Sequence, residues 1–157
     1  MFCVLAGKNI IVLRTFSKIA GIAGLRIGYG IAKPELIGYL NRVVNPFTTN
    51  RLAQVAALAS LDDEEHYRKV LKTNQEGKKY LYRELKKIDL FYLPTETNFI
   101  FLDLKENSEV IFEKLLRKGV IIRPGKIYGC PNFIRVTIGT DYENQKFIQA
   151  LKDVLKF

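Results

Sequence analysis

TFSKIAGIAGLRIGYG, residues Thr15 to Gly30, is the stretch on which the fold and chemistry of this 157-residue chain turn. It sets Lys18 directly after Ser17, with Thr15 just ahead, and then runs through Ala20, Gly21, Ala23 and Gly24 to a single arginine, Arg26. The apolar runs on either side, Ile10 to Leu13 and Leu25 to Ile31, read as buried strands, which makes the segment between them a loop slung between sheet strands. Small residues around a lysine favour desolvation, and a nearby arginine adds like charge. Both favour the neutral amine, the form that attacks a carbonyl, so Lys18 is a candidate Schiff-base former.

The same loop offers what a dianionic phosphate needs: backbone N–H groups around Gly21 and Gly24, the Ser17 hydroxyl and the forked guanidinium of Arg26. An aldehyde-binding lysine beside a phosphate cradle describes a site for pyridoxal 5'-phosphate. The competing reading is a tightly packed loop with two exposed cations, which would suffice for a bare Ser-Lys pair. The joint pattern, Ser-Lys followed by Gly-x-x-Gly-x-Arg ending eight residues after the lysine, is much rarer.

RTFSKIAGIAGLRIGYG resembles the fold-type I pyridoxal-phosphate aminotransferases, and within them it is most similar to the histidinol-phosphate aminotransferases. The resemblance implies that Lys18 carries the cofactor and that Ser17 and Arg26 hold its phosphate. One departure is visible: Ala20 stands where the family has a larger aromatic residue.

Composition sets the outer limits. A 48% hydrophobic chain of this length can bury one core and lacks the composition of a disordered protein. No apolar run reaches membrane-spanning length and MFCVLAGKN lacks the pattern of a signal peptide, so a cytoplasmic protein is expected. Cys3 and Cys130 are too few for a disulfide scaffold or a zinc motif, and His66 is the sole histidine, so no metal site is expected. The net charge of +9 raises the question of nucleic acid. Yet Lys69, Lys72, Lys78, Lys79, Lys86 and Lys87 alternate with apolar residues along one helix, the ordinary pattern of a solvated face, with no nucleic-acid motif beside them.

An α/β chain follows from the order of its patterns. Lys8 to Arg14 and Leu25 to Ala32 read as strands. Pro34 suits the first position of a helix ending near Asn45, and Arg51 to Leu61 reads as a second helix with Leu52, Val55, Ala56 and Ala59 on one face. Asp62 with Glu65 starts a long helix running to the turn at Asp89. Asn98 to Leu104 is strand-like, Ser108 suits the cap of a helix closed by Gly119, and Val120 to Arg123 and Phe133 to Ile138 are strands. Thr140 and Glu143 form a capping box for a last helix.

Two further arginines stand close together, Arg123 at the end of one strand and Arg135 inside FIRVTIGT. Alternation puts Ile134 and Val136 on one face and Arg135 on the other. A half-buried guanidinium demands an anion, either a ligand carboxylate or phosphate or an internal acid such as Asp103. RPGKIYGCPNFIRVTIGT is similar to the C-terminal signature of the histidinol-phosphate aminotransferases. That likeness implies that Arg135 holds the carboxylate of glutamate and that Arg123 serves the phosphate of histidinol phosphate or the same carboxylate. PFTTNRLAQVAALASL resembles the family segment that supplies a ligand-binding asparagine, here Asn50. Tyr128, beside the arginines, is read as packing.

The resemblance runs from about Asn9 to the end of the chain but corresponds to the C-terminal half of the family. It implies the C-terminal part of a fold-type I transferase: residues 1–65 as an incomplete portion of the large cofactor-binding domain, then residues 66–157 as the bridging helix and small C-terminal domain, with the boundary near Asp63 to Thr73. The family's aspartate for the pyridine nitrogen and most of its large-domain strands have no counterpart here. A fragment inactive on its own, and a homodimer in its complete form, are therefore expected. An aromatic aminotransferase, a phosphothreonine decarboxylase-like enzyme and a non-catalytic C-terminal module are the alternative readings.

Overall fold

The computed structural model describes residues 6–156. Cys3 lies outside them, and Cys130 is a half-buried free thiol. The chain divides into two compact units, Met1–Val70 and Leu71–Phe157, and the division falls inside one helix.

In the first unit, β1 (Val12–Thr15) pairs antiparallel with β2 (Gly28–Ile31) in the register Val12↔Ile31 to Thr15↔Gly28. Gly28 permits the close approach of the two strands, because a Cβ there would lie 2.6 Å from the Arg14 carbonyl oxygen. The strands were expected to be buried, and they are not: Leu13 is 78% exposed. Their β-branched, apolar composition suits a covered sheet, but among the described residues the ribbon has only two strands. Helix α1 (Pro34–Val43) carries Pro34 in its first turn, as expected.

Helix α2 (Arg51–Leu61) is capped by Asn50, whose Oδ1 accepts from the Ala53 amide at 2.8 Å. Its buried face is Ala53 and Ala57, whereas Leu52 and Val55 are exposed, which corrects the face read from apolar periodicity. The two alanines, one turn apart, lack the bulk that would hold a neighbour away. Asp62 does not start the next helix, α3 (Glu64–Lys87), because its own amide closes α2 on the carbonyls of Ala59 and Ser60. Asp63 takes that part, its Oδ1 accepting from the His66 amide at 3.0 Å.

The second unit is a four-stranded antiparallel sheet in the order β3 (Tyr92–Leu93), β4 (Phe99–Asp103), β6 (Phe133–Thr137), β5 (Arg123–Pro124). Ile100 and Leu102 of β4 sit opposite Val136 and Ile134 of β6, and all four point to one face. That face meets Leu81 and Leu85 of α3, Ile111 and Leu115 of α4 (Ser108–Arg117), and Phe147, Ile148 and Leu151 of α5 (Asp141–Leu155), forming one continuous core. The opposite face carries Phe99, Phe101, Phe133 and Arg135.

Three local readings need revision in this unit. Asn107, not Ser108, caps α4, its Oδ1 accepting from the amides of Glu109 and Val110; Ser108 is the first helical residue and fully buried. The strand expected at Val120 to Arg123 is only Arg123–Pro124, because Val120 and Ile122 are buried in the core rather than paired in the sheet. The capping box is present as read: Thr140 Oγ1 accepts from the Glu143 amide, while Glu143 Oε2 accepts from the Thr140 amide.

Gly77 of α3 is buried where any Cβ would lie 2.7 Å from both Asn144 Nδ2 and Ile138 Cγ2. Asn144 occupies that space and grips Gly139 by two hydrogen bonds, accepting from its amide at 3.0 Å and donating to its carbonyl at 2.9 Å.

Glu84 is the one buried carboxylate among the described residues. It accepts from Lys87 Nζ at 2.8 Å and Arg83 Nε at 3.2 Å, with Lys152 Nζ at 3.7 Å. The Lys87 hydrogen bond holds its carboxyl below the usual value, and the Arg83 hydrogen bond acts in the same direction against the burial that opposes both. A depressed folded-state value means that this stabilisation is complete above the ordinary glutamate range and is lost as pH falls through the depressed value. Glu84→Gln should therefore cost about 1–3 kcal/mol at neutral pH. The difference from the parent, followed by urea unfolding, should shrink on acidification.

Candidate active site

The loop between β1 and β2 is closed at its base, where the Phe16 amide donates to the Ile27 carbonyl at 3.3 Å and the Phe16 ring is buried. Within the loop, the amide of Gly21 donates to the Lys18 carbonyl at 3.0 Å and that of Ile22 to the Phe16 carbonyl at 3.3 Å. Gly21 has φ +74°, a conformation that glycine adopts without strain. Its amide is thus spent inside the loop, which corrects its expected place in a phosphate cradle. Ala23–Leu25 forms a short 3-10 turn leading into Arg26.

Ser17 is half-buried, and its Oγ accepts from Thr15 Oγ1 at 2.8 Å. Thr15 Oγ1 in turn accepts from the Ser17 amide at 3.0 Å. This reciprocal arrangement uses one lone pair of the Ser17 oxygen and leaves its own proton available to a ligand. Arg26 adopts φ 54° and ψ 50°, unusual for a residue with a Cβ, and its Nη1 donates to the Ala23 carbonyl at 2.7 Å. The guanidinium is thereby anchored on its own loop, and its other N–H groups have no acceptor among the described residues. Lys18 is exposed, so the walls expected to desolvate its amine are not supplied by the described residues. Among those residues, no acid pairs with Lys18 or Arg26.

One contributor to this loop escaped the sequence reading. His66, in the first turn of α3, places Nε2 2.9 Å from the carbonyl oxygen of Ile19, the residue after Lys18. A carbonyl can only accept, so the imidazole donates. The sequence showed His66 as an isolated histidine without metal partners, and nothing in its spacing pointed to a residue 47 positions away. Asn50 lies in this unit too, where its Oδ1 is used in capping α2.

In the second unit, Arg123 and Arg135 are direct partners across β5 and β6, so their side chains leave the same face of the sheet. Arg135 is half-buried; its Nη1 donates to the Tyr128 hydroxyl at 3.2 Å and its guanidinium carbon lies 5.0 Å from the centre of the Phe99 ring. Tyr128 also meets Phe101 edge-on, so its role is polar as well as packing. Asp103 does not neutralise Arg135: it lies opposite Phe133 and accepts from the Lys105 amide. Among the described residues, no acid pairs with either arginine. Arg135 forms the polar end of a groove of about 410 Å³ whose apolar walls are Leu93, Pro94, Phe99, Phe101 and Tyr128. An unneutralised guanidinium at the end of an apolar groove suits a small organic acid.

The chain is 56% identical over 151 residues to a histidinol-phosphate aminotransferase from Moorella thermoacetica, covering 96% of this chain and 39% of that protein. It thus spans about two fifths of the length of the curated relatives it matches. A histidinol-phosphate aminotransferase from Sinorhizobium meliloti, solved in complex with pyridoxal-5'-phosphate, superposes with a TM-score of 0.86 at 29% identity, over 94% of this chain and 41% of that one. L-threonine-O-3-phosphate decarboxylase from Porphyromonas gingivalis superposes with a TM-score of 0.85 at 27% identity, over 96% and 48%. The fold is therefore that found within fold-type I aminotransferases. Residues 2–151, a span that includes both the lysine loop and the paired arginines, match the model of the aminotransferase class I and II family, and the chain belongs to that family.

Proposed function

We propose that this chain is the lysine- and arginine-bearing part of a pyridoxal-phosphate-dependent histidinol-phosphate aminotransferase that exchanges an amino group between histidinol phosphate and 2-oxoglutarate. The observation that carries this reading is the Ser17–Arg26 loop, in which an exposed amine, a hydroxyl proton and an anchored guanidinium share one closed segment with no acid paired to its cations among the described residues. These residues fit a phosphorylated aldehyde. Ser17 and Arg26 would hold the phosphate and Lys18 the aldehyde carbon. When bound, pyridoxal phosphate supplies the carbonyl that accepts the amino group and the electron sink for the substrate α-carbon.

The protein's own residues do the rest. With the cofactor bound, the Lys18 amine would move the proton at the substrate α-carbon as general base and then acid. Arg135 orients the carboxylate of glutamate, and Arg123 takes the phosphate of histidinol phosphate or assists with the carboxylate. Asn50 is assigned to ligand binding through its amide nitrogen, the oxygen being committed to its helix. On this reading residues 1–65 belong to the large domain and 66–157 to the bridging helix and small domain, a division supported by the break between units at Val70. The complete protein acts in the cytoplasm as a homodimer.

A chimera tests this, with the chain replacing the matching 151 residues of the Moorella thermoacetica relative. It should transaminate histidinol phosphate with 2-oxoglutarate. Arg135→Gln should raise KM for glutamate roughly 10–100-fold, the loss of one charge-assisted hydrogen-bonding group, with a smaller change for histidinol phosphate. The decarboxylase likeness supplies a second reading, which release of carbon dioxide from phosphothreonine without amino transfer would favour.

A further inference from the structure

The geometry points to His66 as a positioning residue for Lys18, and this rests on the reading of Lys18 given above. Among the described residues, two backbone hydrogen bonds hold the base of the loop that carries Lys18, from the Phe16 amide to the Ile27 carbonyl and from the Ile22 amide to the Phe16 carbonyl. The remaining bonds of the loop are short-range, from Gly21 to Lys18, from Leu25 to Ile22 and from Arg26 to Ala23, and shape it from within. His66 supplies a long-range attachment. Its Nε2 donates at 2.9 Å to the carbonyl of Ile19, one residue beyond Lys18, and the partly buried setting of that bond shields it from exchange with water.

His66 is itself held at the start of α3 by its backbone. Its backbone amide donates to Asp63 Oδ1, which defines the start of α3, and its ring lies 6.2 Å from that of Tyr67. On the loop side, Gly21 takes a positive φ and lacks a side chain where a Cβ would come to 4.0 Å from His66 Nε2, so the turn lies against the imidazole. A rigid helix start thus holds the peptide next to Lys18. A lysine that must hold an aldehyde and then move a proton gains from such a support, because small displacements of a reacting group reduce rate steeply. The imidazole does this through the loop backbone and touches no substrate.

The test uses the full 157-residue chain and, for turnover, the chimera described above. In the chain, His66→Ala should speed hydrogen exchange of the Gly21 and Ile22 amides at least tenfold and leave residues 99–103 and 133–137 of the other unit unchanged. His66→Gln, which keeps a donor, should restore much of the protection. In the chimera, His66→Ala should lower kcat about tenfold with KM for glutamate unchanged, and His66→Gln should recover a large part of it. Unchanged loop exchange, or a rise that spreads across the whole chain, overturns the proposal. So does a fall in activity that appears only in KM. If loop protection falls as expected but borohydride reduction in the presence of pyridoxal phosphate shows no preference for Lys18 in the parent chimera, the tether stands. The reading of Lys18, and with it the positioning role, is then the part that fails.

Discussion

Replacing Lys18 with alanine in the active chimera lowers transamination by at least about 10³-fold, the scale of losing a group that serves as both covalent anchor and proton carrier. The expectation follows from the composition of the loop. Lys18 is its only amine, and neighbouring Ser17 and Arg26 can hold a phosphate but cannot carry a proton between carbon atoms at neutral pH. Loss of turnover alone would not separate a chemical defect from a misfolded loop. Borohydride reduction with pyridoxal phosphate, followed by peptide mapping, does so: the parent should be labelled at Lys18 in preference to its many exposed lysines. The Lys18→Ala protein should lose that label while keeping the hydrogen-exchange protection of Ile22. Retained turnover, or labelling spread evenly over the surface lysines, would sink the assignment.

The second large effect concerns stability. Ile100, the second residue of β4, is completely buried opposite Val136 of β6, in the core that α3, α4 and α5 cover. Ile100→Ala removes three buried carbons and leaves a void that the surrounding branched side chains cannot readily fill, at a cost of about 2–5 kcal/mol. Val110→Ala is the control: Val110 is half exposed on α4, and its truncation should stay within about 0.5 kcal/mol. Urea unfolding followed by hydrogen exchange of the amides of residues 99–103 and 133–137 measures both. Equal destabilisation by the two substitutions would mean that the core is not where burial places it.

The second unit was largely legible in the sequence, and the reason is local. Ile134 and Val136 alternate with Arg135, Thr140 and Glu143 form a self-contained cap, and the apolar positions of α5 recur at helical spacing, so each element reports its own buried face. The first unit was legible in its boundaries but not in its burial. The apolar strands Val12–Thr15 and Gly28–Ile31 carry the composition of a covered sheet, and composition records what a strand is suited to meet, not what surrounds it in this chain. The α2 face was misread for a related reason, since Ala53 and Ala57 are less hydrophobic than Leu52 and Val55 yet are the residues that pack.

The candidate site divides in the same way. Lys18, Arg26, Arg123 and Arg135 announce themselves because charged groups in apolar or glycine-rich surroundings need a chemical reason. The partners that set their geometry do not. The Tyr128 hydroxyl on Arg135, the Ala23 carbonyl on Arg26 and the imidazole behind Ile19 follow from the path of the chain in space. Expected uses of individual groups were displaced by local bonds for the same reason, as with the Gly21 amide and the Asn50 oxygen.

Gly77 has a consequence for how accurately Arg135 can be aimed. With no atom beyond Cα at that position, the side chain of Asn144 rests directly on the α3 backbone and locks Gly139, just past the end of β6. The strand bearing the guanidinium is therefore measured off a helix axis through one short amide rather than through layers of adjustable hydrocarbon. Hydrophobic residues of the core could be exchanged for others of similar volume and the groove would stay in focus, whereas one added methyl group at this glycine would shift the reference point itself.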